Sequence, residues 1–384
     1  MATVDIHHYE RKRDRAAKAL EGSKLSEGDR ALIKRFVNYK KAEKVGLERQ
    51  EKYLRILRII GERFLRADES YSSLGKEDVV RIVSEIEGTK WKDWTKYDFR
   101  LILKTFLKWL GKTEEVAWVK TTKPKKLPDD LLSEQDVQAM IDAALNLRDK
   151  ALIAMLYEGG FRIGELGTMQ MKDLTFDRWG AIAMVNGKTG MRRVRLIWSM
   201  PYIAQWMEAH PQKQRRDAPL WTKMQGDRGG MDYAAMRMQL QKMARRAGVQ
   251  KRVNPHNFRH SRSTHLASRL TESQMEEYLG WVQGSRMPSI YVHMSGRDLD
   301  ADLLQMYGLQ AETAKEAPLE ILQCPYCKTM NTRGARVCMN CKRPIELDEV
   351  LDREARMMNI FKGFVDLMEL NPEAKEHFRK LIEG

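Results

Sequence analysis

Six side chains in four short segments of the chain could together bind and cleave a phosphodiester. The segments are EGGFRIGEL, VNGKTGMRR, NPHNFRHSRSTHLA and EEYLGWVQGSRMPSIYVHMSG, and the residues are Arg162, Lys188, His256, Arg259, Trp281 and Tyr291. Reversible cleavage of a phosphodiester needs a nucleophile, hydrogen-bond donors for the charge on the non-bridging oxygens, and an acid for the leaving oxygen. These six residues supply all three functions. The sequence therefore indicates a phosphoryl-transfer site that needs neither a metal ion nor ATP for catalysis.

Four of these side chains would hold the phosphate. Arg162 and Arg259 would clamp its oxygens as planar forks, and His256 and the indole N–H of Trp281 would add hydrogen bonds. His256 and Arg259 are three residues apart at a predicted helix start, which places them on one face. Glu165 follows Arg162 by three residues, so its carboxylate would support the guanidinium from one helical turn away.

The remaining two side chains would act at the oxygens that enter and leave phosphorus. Lys188, at the tip of a predicted hairpin, would protonate the leaving 5′-oxygen. Tyr291 would attack phosphorus, and since the pKa of a free tyrosine is near ~10, the two arginines and His256 must help its hydroxyl lose the proton. Tyr278 and Tyr307 are rival nucleophiles, but packing explains the first, and the second lies beyond the segment that carries Tyr291.

Each segment alone has an ordinary structural explanation. An arginine and a glutamate three residues apart are typical of a surface salt bridge, and a Gly-Lys turn is usually solvated. A histidine at a helix start is often simply hydrogen-bonded, and a single tyrosine is normally part of a core or an interface. The occurrence of all six residues in this order favours the common chemical explanation.

Hydrophobic periodicity places these residues in a mostly helical chain with a small β element. From Ser26 to Leu110, apolar residues recur every three or four positions, which predicts a helical domain. The segment WVKTTKPKKLP lacks this periodicity and indicates a basic interdomain linker, or alternatively a solvated loop without a DNA role. Further on, the strand pattern of Gly180 to Ile197 is interrupted by NGKTG, which predicts a hairpin.

These patterns divide the chain into six parts. They are a charged helical extension (1–25), a helical DNA-binding domain (26–117), the basic linker (118–128), a catalytic domain (129–312), a cysteine ribbon (320–346) and an amphipathic helical tail (347–384). The apolar stripe of the tail consists of Met357, Ile360, Phe361, Phe364, Leu367 and Met368. This stripe either packs on its own chain or packs on a neighbouring protomer.

The composition favours a nucleic-acid partner. The 384 residues are 42% hydrophobic and 32% charged, which suits a globular protein and excludes a membrane bundle or a disordered chain. The net charge is +15, and between Tyr233 and Thr271 nine Lys or Arg residues occur without an acidic one, which predicts a surface that faces phosphates. The longest apolar run, Ala151 to Leu156, is too short for a membrane span, and the opening residues lack a signal-peptide core, so we expect a cytoplasmic, nucleoid-associated protein.

All four cysteines fall within one short window near the C-terminus. Cys324, Cys327, Cys338 and Cys341 have the spacing C-x2-C-x10-C-x2-C, which is typical of two knuckles that close one tetrahedral thiolate site. Four thiolates leave no open ligand position, so the sequence predicts a structural Zn²⁺. Disulfides and a rubredoxin-like iron site are the alternatives. Basic residues surround the cysteines, so the ribbon would bind either DNA or protein.

The four segments in this order resemble the tyrosine recombinase, or phage integrase, family, and the resemblance covers Ser26 to Tyr307. In that family the series Arg, Lys, His-x-x-Arg, His or Trp, Tyr is catalytic, and the matching positions are the six residues above. Glu165 matches the acidic residue that family members place three residues after the first arginine. Many members carry histidine where this chain has Trp281, whose N–H still donates a hydrogen bond but cannot transfer a proton. The sequences LGW…YVHMSGRD and LLSEQDV are similar to those of the archaeal integrase branch.

The resemblance implies the architecture and the reaction. The helical region before the linker would be the family's SAM-like core-binding domain, and the two domains would close on double-stranded DNA as a C-shaped clamp. Four protomers would act on two duplexes and exchange strands through a Holliday junction, whereas without DNA the protein would be a monomer or a weak oligomer. The chain would then be a site-specific recombinase, such as the integrase of a mobile element, that works through a covalent 3′-phosphotyrosyl intermediate.

Two other functions fit parts of the sequence. A type IB topoisomerase shares the tyrosine nucleophile and the clamp, but it needs no specific site and no tetramer. A non-catalytic architectural protein would read DNA with the ribbon and the basic stripe, and its catalytic segments would be vestigial. Such a protein is expected to have lost at least one of Arg162, Lys188, Arg259 or Tyr291, and all four are present.

Overall fold

A computed structural model describes residues 5–124, 130–187, 190–226, 229–294, 306–307, 321–332, 335–345 and 356–363. These residues are mostly helical and contain two small antiparallel sheets, which confirms the predicted fold class at this level. The chain divides into two compact units, 1–127 and 128–384. Within the described ranges, no helix combines the length and the apolar character that a bilayer span requires.

The first unit is helical around a single core. Its described helices are α1 (Tyr9–Glu21), α2 (Glu27–Ala42), α3 (Leu47–Phe64), α4 (Lys76–Gly88) and α5 (Asp93–Trp109). Helix α3 packs against α1, α2 and α5, and its Leu57 and Ile60 are fully buried because apolar positions recur along one face. The buried Leu20 of α1 lies in this same core, so the charged N-terminal helix and the helices after it bury one apolar surface.

The second unit is built around a helix that is buried on every side. Its described helices are α6 (Glu134–Asp142), α7 (Leu147–Glu158), α8 (Ile163–Gly167), α9 (Met200–Glu208), α10 (Tyr233–Arg246), α11 (Pro255–Ala267), α12 (Glu272–Leu279) and α13 (Met287–Met294). The apolar run Ala151 to Leu156 occupies the middle of α7 and is completely buried. Helices α6, α9 and α11 pack around it. A helix that is apolar all round belongs in a core, and α7 is therefore the scaffold of this unit.

Three antiparallel strands form the sheet of this unit. They are β1 (Leu174–Asp177), β2 (Gly180–Gly187) and β3 (Gly190–Leu196), paired in the order β1-β2-β3. The pairing of β2 with β3 confirms the predicted hairpin, with Ala183 opposite Val194 on the buried face. Strand β1 was not predicted. Its four residues bury only Leu174, so it lacks the alternation that identifies a half-buried strand.

Buried hydrogen bonds fix the end of α7 against the sheet. The Glu158 carboxylate accepts hydrogen bonds from the backbone N–H groups of Ile197, Trp198 and Ser199 at 2.7, 3.0 and 2.7 Å. The Tyr278 hydroxyl lies 3.1 Å from the carbonyl oxygens of Glu158 and of Arg195. Tyr278 is therefore a packing residue, as predicted. These contacts hold the chain where α7 ends and the segment bearing Arg162 begins.

The cysteine segment and part of the tail are also described. Strands β4 (Ile321–Gln323) and β5 (Met330–Thr332) form an antiparallel pair, β5 lies against α9, and Ile321 packs on the core of the second unit. Residues 356–363 are helical, and the stripe residues among them, Met357, Ile360 and Phe361, are exposed. The other three stripe residues, Phe364, Leu367 and Met368, lie outside the described residues.

Candidate active site

Arg162 stands at the start of α8, where it is held from two sides. Its backbone N–H donates to Glu165 at 2.9 Å, and its Nη1 donates to the same carboxylate at 2.8 Å. Its Nη2 donates to the carbonyl oxygen of Gly280 at 3.0 Å. About a third of the side chain, 34%, remains exposed. The guanidinium is thus oriented by the protein and still open to a ligand.

Arg259 is the more deeply buried of the two predicted arginines. Asn254 caps the helix that carries it, accepting hydrogen bonds from the N–H groups of His256 and Asn257. The Arg259 guanidinium donates to the carbonyl oxygens of Gly160 and Leu279, both at 2.7 Å. Burial and the nearby charge of Arg162 lower the pKa of Arg259 to about 10, so the group remains a cation at neutral pH. Its position depends on backbone from two separate segments.

A buried carboxylate connects Arg162 to a second arginine that sequence reasoning missed. Arg192 of β3 donates from Nη1 and Nη2 to Glu165 at 2.8 and 2.9 Å and from Nε to the carbonyl oxygen of Tyr278 at 3.1 Å. Burial alone would raise the pKa of Glu165, but the hydrogen bonds from Arg192 and Arg162 hold it below its ordinary value. Glu165 is therefore ionised and joins the hairpin, α8 and the end of α12.

Gly280 allows this close approach, and we expect Gly280→Ala to destabilise the second unit. Gly280 has φ 63°, and an added Cβ would lie 2.8 Å from Nη1 of Arg192. Gly284 is a matched control because it has φ 74° and open space around an added Cβ. Both substitutions incur the left-handed backbone cost of about 1–2 kcal/mol. Displacement of Arg192 should cost Gly280→Ala about 1–3 kcal/mol more. Urea unfolding of the two variants measures the difference, and equal losses would contradict this explanation.

Trp281 and Tyr291 form a stack beside Arg259. Their ring planes are 8° apart with centroids at 5.5 Å, and the guanidinium carbon of Arg259 lies 5.5 Å from the Trp281 ring centroid. Tyr291 is only 2% exposed. Burial raises the pKa of Tyr291 to about 12, and the charge of Arg259 opposes this rise. The hydroxyl is therefore protonated at neutral pH in this conformation.

The Tyr291 hydroxyl contacts a histidine that was not among the predicted residues. The Nδ1 atom of His260 lies 2.6 Å from the Tyr291 oxygen. His256, one helical turn earlier, is exposed, and its ring meets that of His260 edge-on with centroids 4.1 Å apart. Partial loss of hydration around the ring and then the charge of Arg259 lower the pKa of His256. His256 is thus joined to Tyr291 through His260.

The structure brings most of the predicted residues into one connected group. Direct contacts link Arg162 with Glu165, Arg259 with Trp281 and Trp281 with Tyr291, and the carbonyl oxygens of Leu279 and Gly280 lie between the two arginines. Lys188 lies outside the described residues, directly after β2. The rival Tyr307 is 73% exposed.

Two residues of this group carried no recognisable signal in the sequence. Arg192 lies among several basic residues of β3, and only its contact with Glu165 distinguishes it from its neighbours. His260 directly follows Arg259 and is four residues from His256. That spacing indicates a shared helix face but no partner, because Tyr291 is 31 residues away in the chain.

The four cysteines converge in the second unit. Their Sγ atoms all lie within 4.8 Å of one another, with Cys324 and Cys341 at 3.6 Å and Cys327 and Cys338 at 3.5 Å. A disulfide requires about 2.05 Å, so these cysteines are unpaired thiols. Four sulfurs placed around one metal ion at about 2.3 Å would be roughly 3.8 Å apart, close to the observed spacing. The cluster can therefore hold a metal ion.

Residues 130–297 match the phage integrase family model. Tyrosine recombinase XerD of Ralstonia nicotianae is 27% identical over 213 residues, which are 51% of this chain and 68% of that protein. Tyrosine recombinase XerA of Pyrococcus horikoshii is 29% identical over 182 residues, which are 46% of this chain and 62% of that protein. The chain thus spans about two thirds or less of the length of these curated relatives.

Solved structures of low sequence identity share the fold. The post-cleavage complex of XerH site-specific recombinase bound to palindromic difH substrate gives a TM-score of 0.55 at 18% identity and covers 80% of this chain and 98% of that chain. A lambda integrase dimer bound to a COC′ core site gives a TM-score of 0.55 at 14% identity and covers 74% of this chain and 82% of that chain.

Proposed function

Since residues 130–297 match the phage integrase family model, we propose that the chain is a site-specific tyrosine recombinase that cleaves and rejoins DNA through Tyr291. The observation that carries this proposal is the packing of Tyr291 and Arg259 on the same indole, that of Trp281. The proposed nucleophile and the proposed phosphate-binding cation therefore lie next to each other, which supports in-line attack on a bound phosphodiester.

In the proposed reaction the two arginines neutralise the scissile phosphate. The exposed part of Arg162 and the remaining donors of Arg259 would bind the non-bridging oxygens, whose negative charge grows as the tyrosine oxygen bonds to phosphorus. Both guanidinium groups are already oriented by backbone carbonyls, so little reorganisation is needed when the phosphate arrives. His256, exposed at the start of α11, would add a hydrogen bond, and Trp281 would contribute its indole N–H.

The bond changes are balanced without an external energy source. The Tyr291 oxygen forms a bond to phosphorus, and the bond from phosphorus to the 5′-oxygen breaks. Lys188 would give the leaving oxygen its proton. The product is a 3′-phosphotyrosyl linkage that conserves the energy of the phosphodiester, so attack by a 5′-hydroxyl can rejoin the strand. Because Tyr291 is buried, we propose that DNA binding uncovers its hydroxyl while the hydroxyl stays beside Arg259 and His260.

A basic cleft beside the candidate site would bind the DNA backbone. A surface cleft of about 590 Å³ lies between α10 and the segment that ends at Asn254, the residue that caps α11, and its lining includes Arg237, Arg245, Lys251 and Arg252. These four residues belong to the acid-free stripe between Tyr233 and Thr271. Contacts of this type release counterions from DNA, so binding should weaken steeply as salt increases.

The cysteine cluster would hold a structural Zn²⁺. Four thiolates are the donor set of structural zinc sites, and their spacing here fits one tetrahedral ion. The described part of the ribbon contributes few apolar contacts, so the metal would supply much of its folding free energy. Because β5 lies against α9, the folded ribbon would be anchored on the second unit.

We expect Cys338→Ser to remove bound zinc. Cys338 is fully buried in the cluster, and a serine hydroxyl is a much poorer ligand than a thiolate. Elemental analysis should find one zinc per chain in the wild type and in the neighbouring control Asn340→Ser, but almost none in Cys338→Ser. Iron in the wild type, recognisable by visible colour, would contradict the zinc assignment. DNA cleavage by the full chain should proceed in chelator as long as the ribbon keeps its metal, because no proposed step uses a metal ion.

We propose that the protein assembles on DNA and exchanges strands as other members of the family do. Four protomers would bind two DNA duplexes and exchange strands in pairs through a Holliday junction. The similarity of LGW…YVHMSGRD to archaeal integrases favours a mobile-element integrase acting inside the cell on chromosomal DNA.

Covalent trapping tests the proposed function. The protein is incubated with supercoiled DNA of its source replicon, denatured with detergent, and the DNA that stays attached is sequenced. A site-specific recombinase should give adducts at one sequence. Adducts scattered over all sequences, together with relaxation of supercoils, would favour a topoisomerase. Tight DNA binding without any adduct would favour an architectural protein.

A further inference from the structure

We propose that His260 is a catalytic residue that accepts the proton of the Tyr291 hydroxyl while this oxygen bonds to phosphorus, and that it returns the proton when the strand is rejoined. The inference rests on the proposed function and adds a base to it. Sequence reasoning assigned the deprotonation of Tyr291 to the two arginines and His256. The structure instead brings His260 into contact with the hydroxyl.

The contact has the geometry of a proton transfer. The distance from His260 Nδ1 to the Tyr291 oxygen is 2.6 Å, within hydrogen-bond reach for a general base. Arginine side chains only donate hydrogen bonds, so they can stabilise a tyrosinate but cannot take its proton. In the tautomer that we propose for His260, the ring proton is on Nε2, Nδ1 has a free lone pair, and the Tyr291 hydroxyl donates to it.

The groups around the pair keep His260 neutral at rest. His256 and Arg259 face its ring from α11, Arg259 and Ser263 face the Tyr291 hydroxyl from the same helix, and Trp281 covers Tyr291 from the other side. Burial and then the neighbouring His256 and Arg259 lower the pKa of His260 to about 4. The lone pair is therefore available throughout the physiological pH range.

These surroundings also explain why the proton moves only during the reaction. At rest the tyrosine holds its proton far more strongly than the imidazole does, so no reactive tyrosinate accumulates. A DNA phosphate bound beside Arg259 brings negative charge, which favours the imidazolium form of a nearby histidine. As the bond to phosphorus forms, the phenolic oxygen loses its basicity, and the proton passes to Nδ1. On religation the bond to phosphorus breaks, and the same proton returns to the phenolate.

The test compares two histidines of one helix. His260→Asn retains a hydrogen-bond acceptor but removes the base. His265 is the matched control because it also lies on α11, is partly buried and contacts Glu134 at 3.2 Å. Cleavage rates are measured from pH 6 to 9 on the DNA site found by trapping, with a normal 5′-oxygen and with a 5′-bridging sulfur at the scissile position. The sulfur leaves without protonation, so it isolates defects on the nucleophile side.

We expect His260→Asn to cleave roughly 10²–10⁴-fold more slowly than the wild type with both leaving groups. Its rate should rise about tenfold per pH unit, because without a base the reaction depends on the fraction of tyrosinate. The wild type and His265→Asn should vary little over this range. A structural defect would lower the rate equally at every pH, and His260→Gln repeats the comparison if the asparagine variant does not fold.

Two results would overturn the assignment of His260. The first is a wild-type rate in His260→Asn. The second is recovery of the rate with the sulfur substrate, which would place His260 on the leaving-group side. Adduct formation by Tyr291→Phe would instead refute the proposed function itself, so the two failures are distinguishable.

Discussion

Tyr291→Phe should form no covalent adduct with DNA, a loss of roughly 10⁴-fold or more in cleavage rate, because it removes the atom that bonds to phosphorus. The phenylalanine ring keeps the stack on Trp281, so the fold and the affinity for DNA should change little. End-labelled DNA that migrates with the denatured protein in a gel measures the adduct directly. A gel-shift titration of the same preparation measures binding.

Two other tyrosines provide the controls for this experiment. Tyr307→Phe removes an exposed hydroxyl and should leave the adduct yield unchanged. Tyr278→Phe removes the contacts with the carbonyl oxygens of Glu158 and Arg195, so it should lower stability by about 1–2 kcal/mol while adducts still form. If Tyr307→Phe abolished the adduct and Tyr291→Phe did not, the nucleophile would be Tyr307.

Arg259→Lys should reduce cleavage by about 10²–10³-fold although it conserves the charge. A lysine ammonium cannot donate simultaneously to the carbonyl oxygens of Gly160 and Leu279 and to a phosphate in the planar fork geometry of arginine. The rate of adduct formation at saturating protein concentration measures this loss. The exposed Arg269→Lys is the control and should cleave like the wild type.

The same substitution should also lower stability, because Arg259 is only 4% exposed and a shorter cation leaves buried carbonyl groups without donors. We expect a loss of about 1–3 kcal/mol in the free energy of unfolding of the second unit, measured by urea denaturation. A stable variant with unimpaired cleavage would show that Arg259 is a structural cation and that Arg162 alone binds the phosphate.

Substitutions within this small group of residues should have two kinds of effect, one on the position of the arginines and one on the reaction itself. In our proposal, Gly280 and Glu165 determine the position of the arginines, whereas Tyr291 and His260 take part in the proton transfer and in the new bond to phosphorus. Substitutions of the first kind should change stability and binding along with rate. Substitutions of the second kind should change the cleavage rate with little effect on stability or on DNA binding. Only His260→Asn should make the cleavage rate depend on pH.

The sequence by itself determined the elements and most of the chemical groups. Local sequence signals were sufficient for features that depend on neighbouring residues. Ser133 accepts from the N–H of Asp136 and caps α6, the strands on either side of NGKTG are paired, and the buried run Ala151 to Leu156 is a core helix. The spacing of the cysteines likewise predicted a cluster, because two short knuckles can close on one point. The order of the predicted residues was also sufficient to indicate the family.

Only the tertiary structure decided which of these groups touch. Arg192 reaches Glu165 across 27 positions of the chain, and His260 reaches Tyr291 across 31, and neither pairing has a periodicity that a sequence displays. Strand β1 was missed for a related reason, since it is defined by its pairing with β2 and not by its own alternation. Contacts of this kind depend on how helices and strands pack around α7. The partners of the arginines and of Tyr291 were therefore determined by packing.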